Sequence, residues 1–79
     1  MTQAQTLART LNALAKAPQF SNSKARAAAR TDGNVDWTRT KTRNDGFNPD
    51  VDGYETFVMT DGSVCAWQPG QFTYAARAG

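Results

Sequence analysis

The repeat with which side-chain types recur along this sequence changes once, from a helical spacing to a period of two. That change limits what the chain can fold into. Among the first 17 residues, apolar side chains recur every three or four positions, as they do along one side of a helix. From Val35 onward the pattern has a period of two, which is typical of β-strands. Helices followed by strands predict a small α+β domain.

Two helices are predicted in the first part of the chain. The first runs from about Gln3 to Ala17, begins with a capping box between Thr2 and Gln5, and stops before Pro18. A shorter basic helix over Lys24–Arg30 follows, with Ser21 or Ser23 as its cap. The apolar stripe that would pack on a sheet contains Ala4, Leu7, Ala8, Leu11, Leu14 and Ala15.

The dipeptide Asp61-Gly62 predicts a tight hairpin, because Asp-Gly is favoured in two-residue type I′ turns. That register pairs Phe57 with Ala66, so Phe57 lies on the face opposite Cys65. A second turn at Pro69-Gly70 leads to another strand, in which Phe72 faces Trp67 and Tyr74 faces Cys65.

These elements predict one domain over residues 1–79, with a helical basic part at 1–31 and a β-meander at 35–76. The fold class is α+β, with an N-terminal amphipathic helix and a short basic helix packed on a three- to four-stranded antiparallel β-meander. The alternating residues 35–43 supply the fourth strand, and an exposed loop covers residues 44–53.

The sequence contains no histidine and one cysteine, Cys65, which argues against several kinds of chemistry. A zinc site or a Cys–His nucleophile needs histidine or further cysteines, which one copy of this chain does not contain. Residues 48–53 match the first half of a calcium loop, but Met59 stands where its bidentate Glu belongs. We therefore expect no catalytic residues, no metal and no cofactor. The lone cysteine and the absence of a signal peptide or apolar span predict the cytoplasm, of a cell or of a virus-infected host.

Positive charge is concentrated in the first part of the chain. Residues 1–30 contain five basic residues and no acid, whereas residues 31–79 contain four basic and seven acidic residues. This asymmetry indicates a polyanionic or charged-protein partner. We predict a non-catalytic protein that binds nucleic acid, or the machinery that processes it, through this basic half. The candidate contact residues are Lys24, Arg26, Arg30, Trp37, Arg39, Lys41 and Arg43.

Three readings of the basic residues after Val35 remain open. On a strand, Arg39, Lys41 and Arg43 would lie about 6.5–7 Å apart on one side. Trp37 would offer a surface on which bases stack. The same charges also suit a solvated edge strand, which lysine and arginine protect from aggregation. They suit an acidic protein partner as well.

A rival hypothesis is a protein inhibitor or adaptor that blocks a host nucleic-acid enzyme. Aromatic anchors would give its affinity, since Trp, Tyr and Arg dominate binding hot spots. In its length, lack of histidine, single cysteine and helix-plus-meander plan, the chain resembles small phage or mobile-element accessory proteins, including anti-CRISPR inhibitors. The candidate contacts are Tyr54, Trp67, Phe72 and Tyr74, with the acids Asp45, Asp50, Asp52 and Glu55.

Self-association is a further expectation. A single-layer sheet with one helix on it leaves one face open, and Trp67, Phe72 and Tyr74 share a face. A twofold homodimer that buries these three side chains would enlarge the core of so short a chain.

Overall fold

Two helices pack on a three-stranded antiparallel sheet in the computed structural model of the chain, which describes residues 1–40, 54–68, 71 and 73–77. The elements are α1 (Gln3–Ala15), α2 (Asn22–Asp32), β1 (Phe57–Val58), β2 (Val64–Gln68) and β3 (Thr73–Arg77). The strands lie in the order β1-β2-β3. The predicted α+β fold class is therefore confirmed, with three strands in the described part of the chain.

The N-terminus of α1 is held by its own cap and by the hairpin that follows β1. The predicted capping box of Thr2 and Gln5 is present. The backbone N–H of Ala4 also donates to Ser63 Oγ (3.1 Å), and that of Gln3 donates to Asp61 Oδ2 (3.0 Å). Two of the donors that every helix leaves unpaired at its start are thus satisfied by residues far along the chain.

The apolar side of α1 is shorter than predicted. Ala4, Leu7, Ala8 and Leu11 are buried, and the helix ends at Ala15. Leu14 is 42% exposed, so the prediction that it packs on the sheet is wrong. It lies in the last turn, at the margin of the stripe that the other four residues define.

The buried apolar residues of the second helix are alanines. Ser21 caps α2, accepting from the backbone N–H of Lys24 (3.3 Å), and Gly33 ends it in the left-handed conformation at φ 78°. Ala25 and Ala29 are fully buried. Because alanine is small, the helix lies close to its neighbours.

The hairpin between β1 and β2 has a three-residue turn, not the predicted two-residue turn. The backbone N–H of Gly62 donates to the Met59 carbonyl (3.0 Å), and the N–H of Met59 donates to the Ser63 carbonyl (2.9 Å). Gly62 has a φ of 88°. A turn followed by a left-handed glycine is the usual three-residue hairpin loop. Phe57 consequently pairs with Cys65, and the predicted pairing with Ala66 is wrong by one residue.

This difference of one residue decides which side chains form the core. A shift of one position turns a strand over, so Phe57 shares a face with Cys65. In the second hairpin Trp67 pairs with Tyr74, a shift of two from the predicted pairing with Phe72, which leaves the faces unchanged. The buried cluster joins Phe57, Cys65 and Tyr74 to the helices. The face of the sheet that carries Trp67 and Tyr74 therefore packs against this core. The expected homodimer stays a prediction.

The strand predicted from Val35 is wrong over residues 36–40. Val35 forms a single antiparallel bridge with Met59, and a turn follows at residues 37–39. The Asp36 carboxylate accepts from both the backbone N–H (3.1 Å) and the hydroxyl (2.6 Å) of Thr38. Such local bonds offer the backbone an alternative to strand pairing. Lys41 and Arg43 lie outside the described residues.

Both outer edges of the sheet are occupied by other parts of the chain. At β1, Asp36 N–H donates to the Val58 carbonyl (2.8 Å), and the Thr40 hydroxyl accepts from the Val58 N–H (3.1 Å). At β3, the Asn12 side chain takes both backbone groups of Tyr74, accepting from its N–H (2.7 Å) and donating to its carbonyl (3.1 Å). Since unpaired edges promote aggregation, these contacts protect the sheet.

We expect substitution of Gly62 to destabilise the hairpin through backbone strain alone. A Cβ at this position would meet nothing within 4 Å, but φ 88° disfavours residues with a side chain. Gly62→Val should lower the free energy of unfolding by more than about 1 kcal/mol, measured by urea denaturation. Gly62→Asn is the matched control, because Asn tolerates the left-handed region and should cost much less. Equal losses in the two variants would contradict this explanation.

Removal of the Asn12 carboxamide should also destabilise the fold. Asn12→Leu leaves the Tyr74 N–H and carbonyl without their protein partners, a loss of about 1–3 kcal/mol in the free energy of unfolding. Thr10→Ala, at an exposed position of the same helix, should stay within about 0.5 kcal/mol of wild type. A similar stability for both variants would show that Asn12 does not secure the sheet edge.

Candidate functional site

Two arginines of α2 meet the indole of Trp37. The guanidinium carbons of Arg26 and Arg30 lie 6.0 and 5.8 Å from the Trp37 ring centroid. Their spacing of four residues places both on one side of the helix. Trp37 in turn contacts Phe57 edge-on, with centroids 6.1 Å apart, which fixes it to the core. This geometry is a cation–π arrangement that holds two positive charges side by side.

An open groove follows this side of α2. Its volume is about 210 Å³, and its lining residues are Ser23, Arg26, Ala27 and Arg30. Among the described residues, the lining contains two cations and a hydroxyl but no acid. Such a set of donors suits an anionic ligand, since guanidinium groups bind phosphate and carboxylate oxygens in a forked geometry.

Arg26 also contacts a buried acid. Its Nε lies 3.3 Å from Glu55 Oε2, and the Glu55 side chain is 1% exposed. The backbone N–H of Glu55 donates to Asn22 Oδ1 (2.8 Å), so two residues of α2 hold this segment. The sequence placed Glu55 in an exposed acidic surface, but the structure places its carboxylate inside, where the Arg26 charge compensates it.

The other predicted basic contacts that the structure describes, Lys24 and Arg39, do not join this cluster. The Nε of Arg39 donates to Asp36 Oδ2 (2.7 Å), and its Nη2 donates to the Met59 carbonyl (3.3 Å). Hydrogen bonds from Thr38 and then from Arg39 lower the pKa of Asp36, so this acid stays charged beside the arginine. Lys24 is two residues from Arg26 and thus points to the opposite side of α2.

The predicted aromatic contacts form a cluster that belongs largely to the interior. The Tyr54 ring lies 4.5 Å from that of Trp67 and 5.1 Å from that of Phe20, and Trp67 lies 5.2 Å from Tyr74. Tyr74 is only 3% exposed, while Tyr54 and Trp67 are partly buried. Four other predicted contacts lie outside the described residues: Phe72, Asp45, Asp50 and Asp52.

Sequence reasoning missed two members of the site, Ser23 and Ala27, and gave a third, Glu55, a different role, as an exposed contact of the rival hypothesis. Ser23 and Ala27 line the groove, and Glu55 pairs with Arg26. A helical projection of α2 would have grouped Ser23 and Ala27 with Arg26 and Arg30, because the four share one side of a 3.6-residue repeat. No local signal indicated that Glu55 is buried, since its partner Arg26 lies 29 residues earlier in the sequence.

Other chemistry finds little support in the described part of the chain. It contains no group of three or more His, Cys, Asp or Glu residues that would hold a metal ion. Neither described helix is long and apolar enough to cross a membrane. Cys65 is buried, and burial, with a contribution from the charge of Asp32, raises the pKa of its thiol to about 12. A thiol with so high a pKa is a poor nucleophile.

We expect Cys65 to resist thiol reagents in the folded protein at pH 8 and to react once urea unfolds the chain. The raised pKa also predicts the direction in which the stability of the folded protein changes with pH. The unfolded thiol ionises near its ordinary value of 9.0, so stability is full below that pH and falls as the pH rises towards about 12. Wild type should therefore lose stability relative to Cys65→Ala over this range. Rapid labelling of the native protein would contradict the burial of Cys65.

No protein-family model matches this chain, and neither a search of curated proteins nor a search of solved structures finds a significant match. Relatives therefore give no functional information. The arrangement of Arg26 and Arg30 along the groove, with Trp37 against both guanidinium groups, is the observation from which a function can be inferred.

Proposed function

We propose that this protein is a small non-catalytic domain that binds nucleic acid through the arginine side of α2. The observation that carries the proposal is the groove, whose lining, within the part of the chain that the structure describes, combines Arg26, Arg30 and Ser23 without an acid. Arginine contacts phosphate oxygens with up to two parallel hydrogen bonds. Contacts of this kind set affinity and position but do not read base sequence.

The packing of the arginines supports binding at this place. Trp37 lies against both guanidinium groups, and its own contact with Phe57 ties it to the core. Arginine side chains lose much rotational freedom when they bind a ligand. Because Trp37 already limits that freedom, less is lost when phosphate binds.

Charge supports the same conclusion. Residues 1–30 contain five basic residues and no acid. Within the described residues, the salt bridges of basic side chains are Arg26 with Glu55 and Arg39 with Asp36, and neither involves Arg30. Arg30 is exposed and thus free to meet an incoming anion.

No observation on the described residues favours the rival inhibitor over this proposal. Tyr74 and Glu55 are buried, and Tyr54 and Trp67 pack against the core. Aromatic anchors of an interface need exposed area to offer a partner. The proposed site differs in this respect, since Arg30 and Ser23 are exposed.

The proposal predicts that Arg30→Gln weakens binding of single- or double-stranded DNA or RNA roughly tenfold at low salt, the loss of one charged hydrogen bond. The slope of log affinity against log salt concentration should also decrease by about one. Fluorescence anisotropy of labelled oligonucleotides at two salt concentrations measures both quantities.

Arg9→Gln is the matched control, because it removes the same charge from an exposed position on α1, opposite that helix's buried stripe. Its affinity should remain within about twofold of wild type, since isolated surface charges contribute little at a distance. Wild-type protein that binds none of the four nucleic acids at low salt would overturn the proposed function. Equal losses in both variants would place the contact elsewhere.

A further inference from the structure

Glu55 is an acidic residue whose side chain is buried in the interior of the protein. Its side chain is 1% exposed, and its Oε2 has only the Nε of Arg26, 3.3 Å away, as a partner among the described residues. The contact is an ion pair without the alignment of a hydrogen bond. A buried charge is costly unless an opposite charge compensates it, so Glu55 and Arg26 depend on each other.

The atoms of the Arg26 guanidinium have two different surroundings. Its Nε is buried, yet the whole side chain is 30% exposed, so the exposed area belongs to other atoms. Arginine has five N–H donors, of which four are on the two terminal nitrogens. Glu55 lies at the Nε, Trp37 lies against the guanidinium, and the groove borders the same side chain.

We propose that Glu55 is a positioning residue, which holds Arg26 by its Nε so that the terminal nitrogens face phosphate groups in the groove. The inference rests on the proposed function and adds to it the way in which the site is built. A guanidinium held before the ligand arrives loses less freedom on binding. The acid therefore strengthens the binding of an anion.

Simple electrostatics predicts the opposite. Glu55 adds a negative charge near the groove, and its removal should strengthen the binding of any polyanion. The direction of the change in affinity thus separates a positioning role from a merely electrostatic one.

The test is Glu55→Gln, which keeps the shape of the side chain and removes its charge. We expect this variant to bind a labelled single-stranded oligonucleotide roughly threefold to tenfold more weakly than wild type, although its net charge is more positive by one. Arg26→Lys keeps the charge but has no Nε–H and no fork, so it should bind more weakly as well. The double variant should be no weaker than the poorer single one, because both changes remove one interaction.

Asn22→Ala controls for loosening of the fold. Asn22 holds the same segment through the Glu55 backbone N–H, without contact to the Arg26 guanidinium in the bonds that the structure shows. We expect Asn22→Ala to lower the thermal midpoint yet to keep its affinity within about twofold of wild type. A purely structural role of Glu55 predicts instead that the two variants lose affinity in proportion to stability.

A second measurement needs no ligand. In NMR spectra of the free protein, the Arg26 Nε–H should exchange slowly with water, and Glu55→Gln should accelerate that exchange. Wild-type binding with equal or tighter binding by Glu55→Gln would overturn the positioning role alone. So would additive losses in the double variant, or an Arg26 Nε–H that exchanges equally fast in both proteins. Failure of wild type to bind at all would overturn the proposed function, and the positioning role with it.

Discussion

The three-residue turn at residues 60–62 is the constraint on which the rest of the structure depends. Gly62 adopts a left-handed conformation there, and the turn sets Phe57 opposite Cys65. One residue fewer in the turn would place Phe57 on the outer face of the sheet. Asp61 of this turn and Ser63, which follows it, accept hydrogen bonds from the N-terminus of α1, so the turn affects both the side of the sheet that is buried and where the helix begins.

Edge protection explains how so short a sheet persists. β1 contains two residues and β3 five, and each would expose unpaired backbone groups by itself. Asn12 imitates a neighbouring strand by bonding both backbone groups of Tyr74. Asp36 and Thr40 satisfy the outer side of β1 at Val58. Side chains and one short segment thus replace a fourth strand at little cost in chain length.

The arginine cluster is a consequence of the same packing. Ala25 and Ala29 let α2 lie close to the core, and Arg26 and Arg30 of the same helix lie beside Trp37. Trp37 lies beside them because the chain turns at residues 37–39. In the predicted strand, Trp37 would instead have shared one side with Arg39. The buried Glu55 adds a charge from the segment before β1. Three separate parts of the chain therefore build the proposed site.

The sequence by itself determined the local features: the cap at Thr2, a serine cap for α2, which it left open between Ser21 and Ser23, and the position of the first hairpin. Each depends on bonds or backbone preferences within a few neighbouring residues. Only the tertiary structure decided the hairpin register, the burial of Glu55 and the meeting of Trp37 with α2. Those features depend on contacts between residues far apart in the chain. A one-residue change in turn length reverses a strand face, and an acid resembles a surface residue until its partner is known.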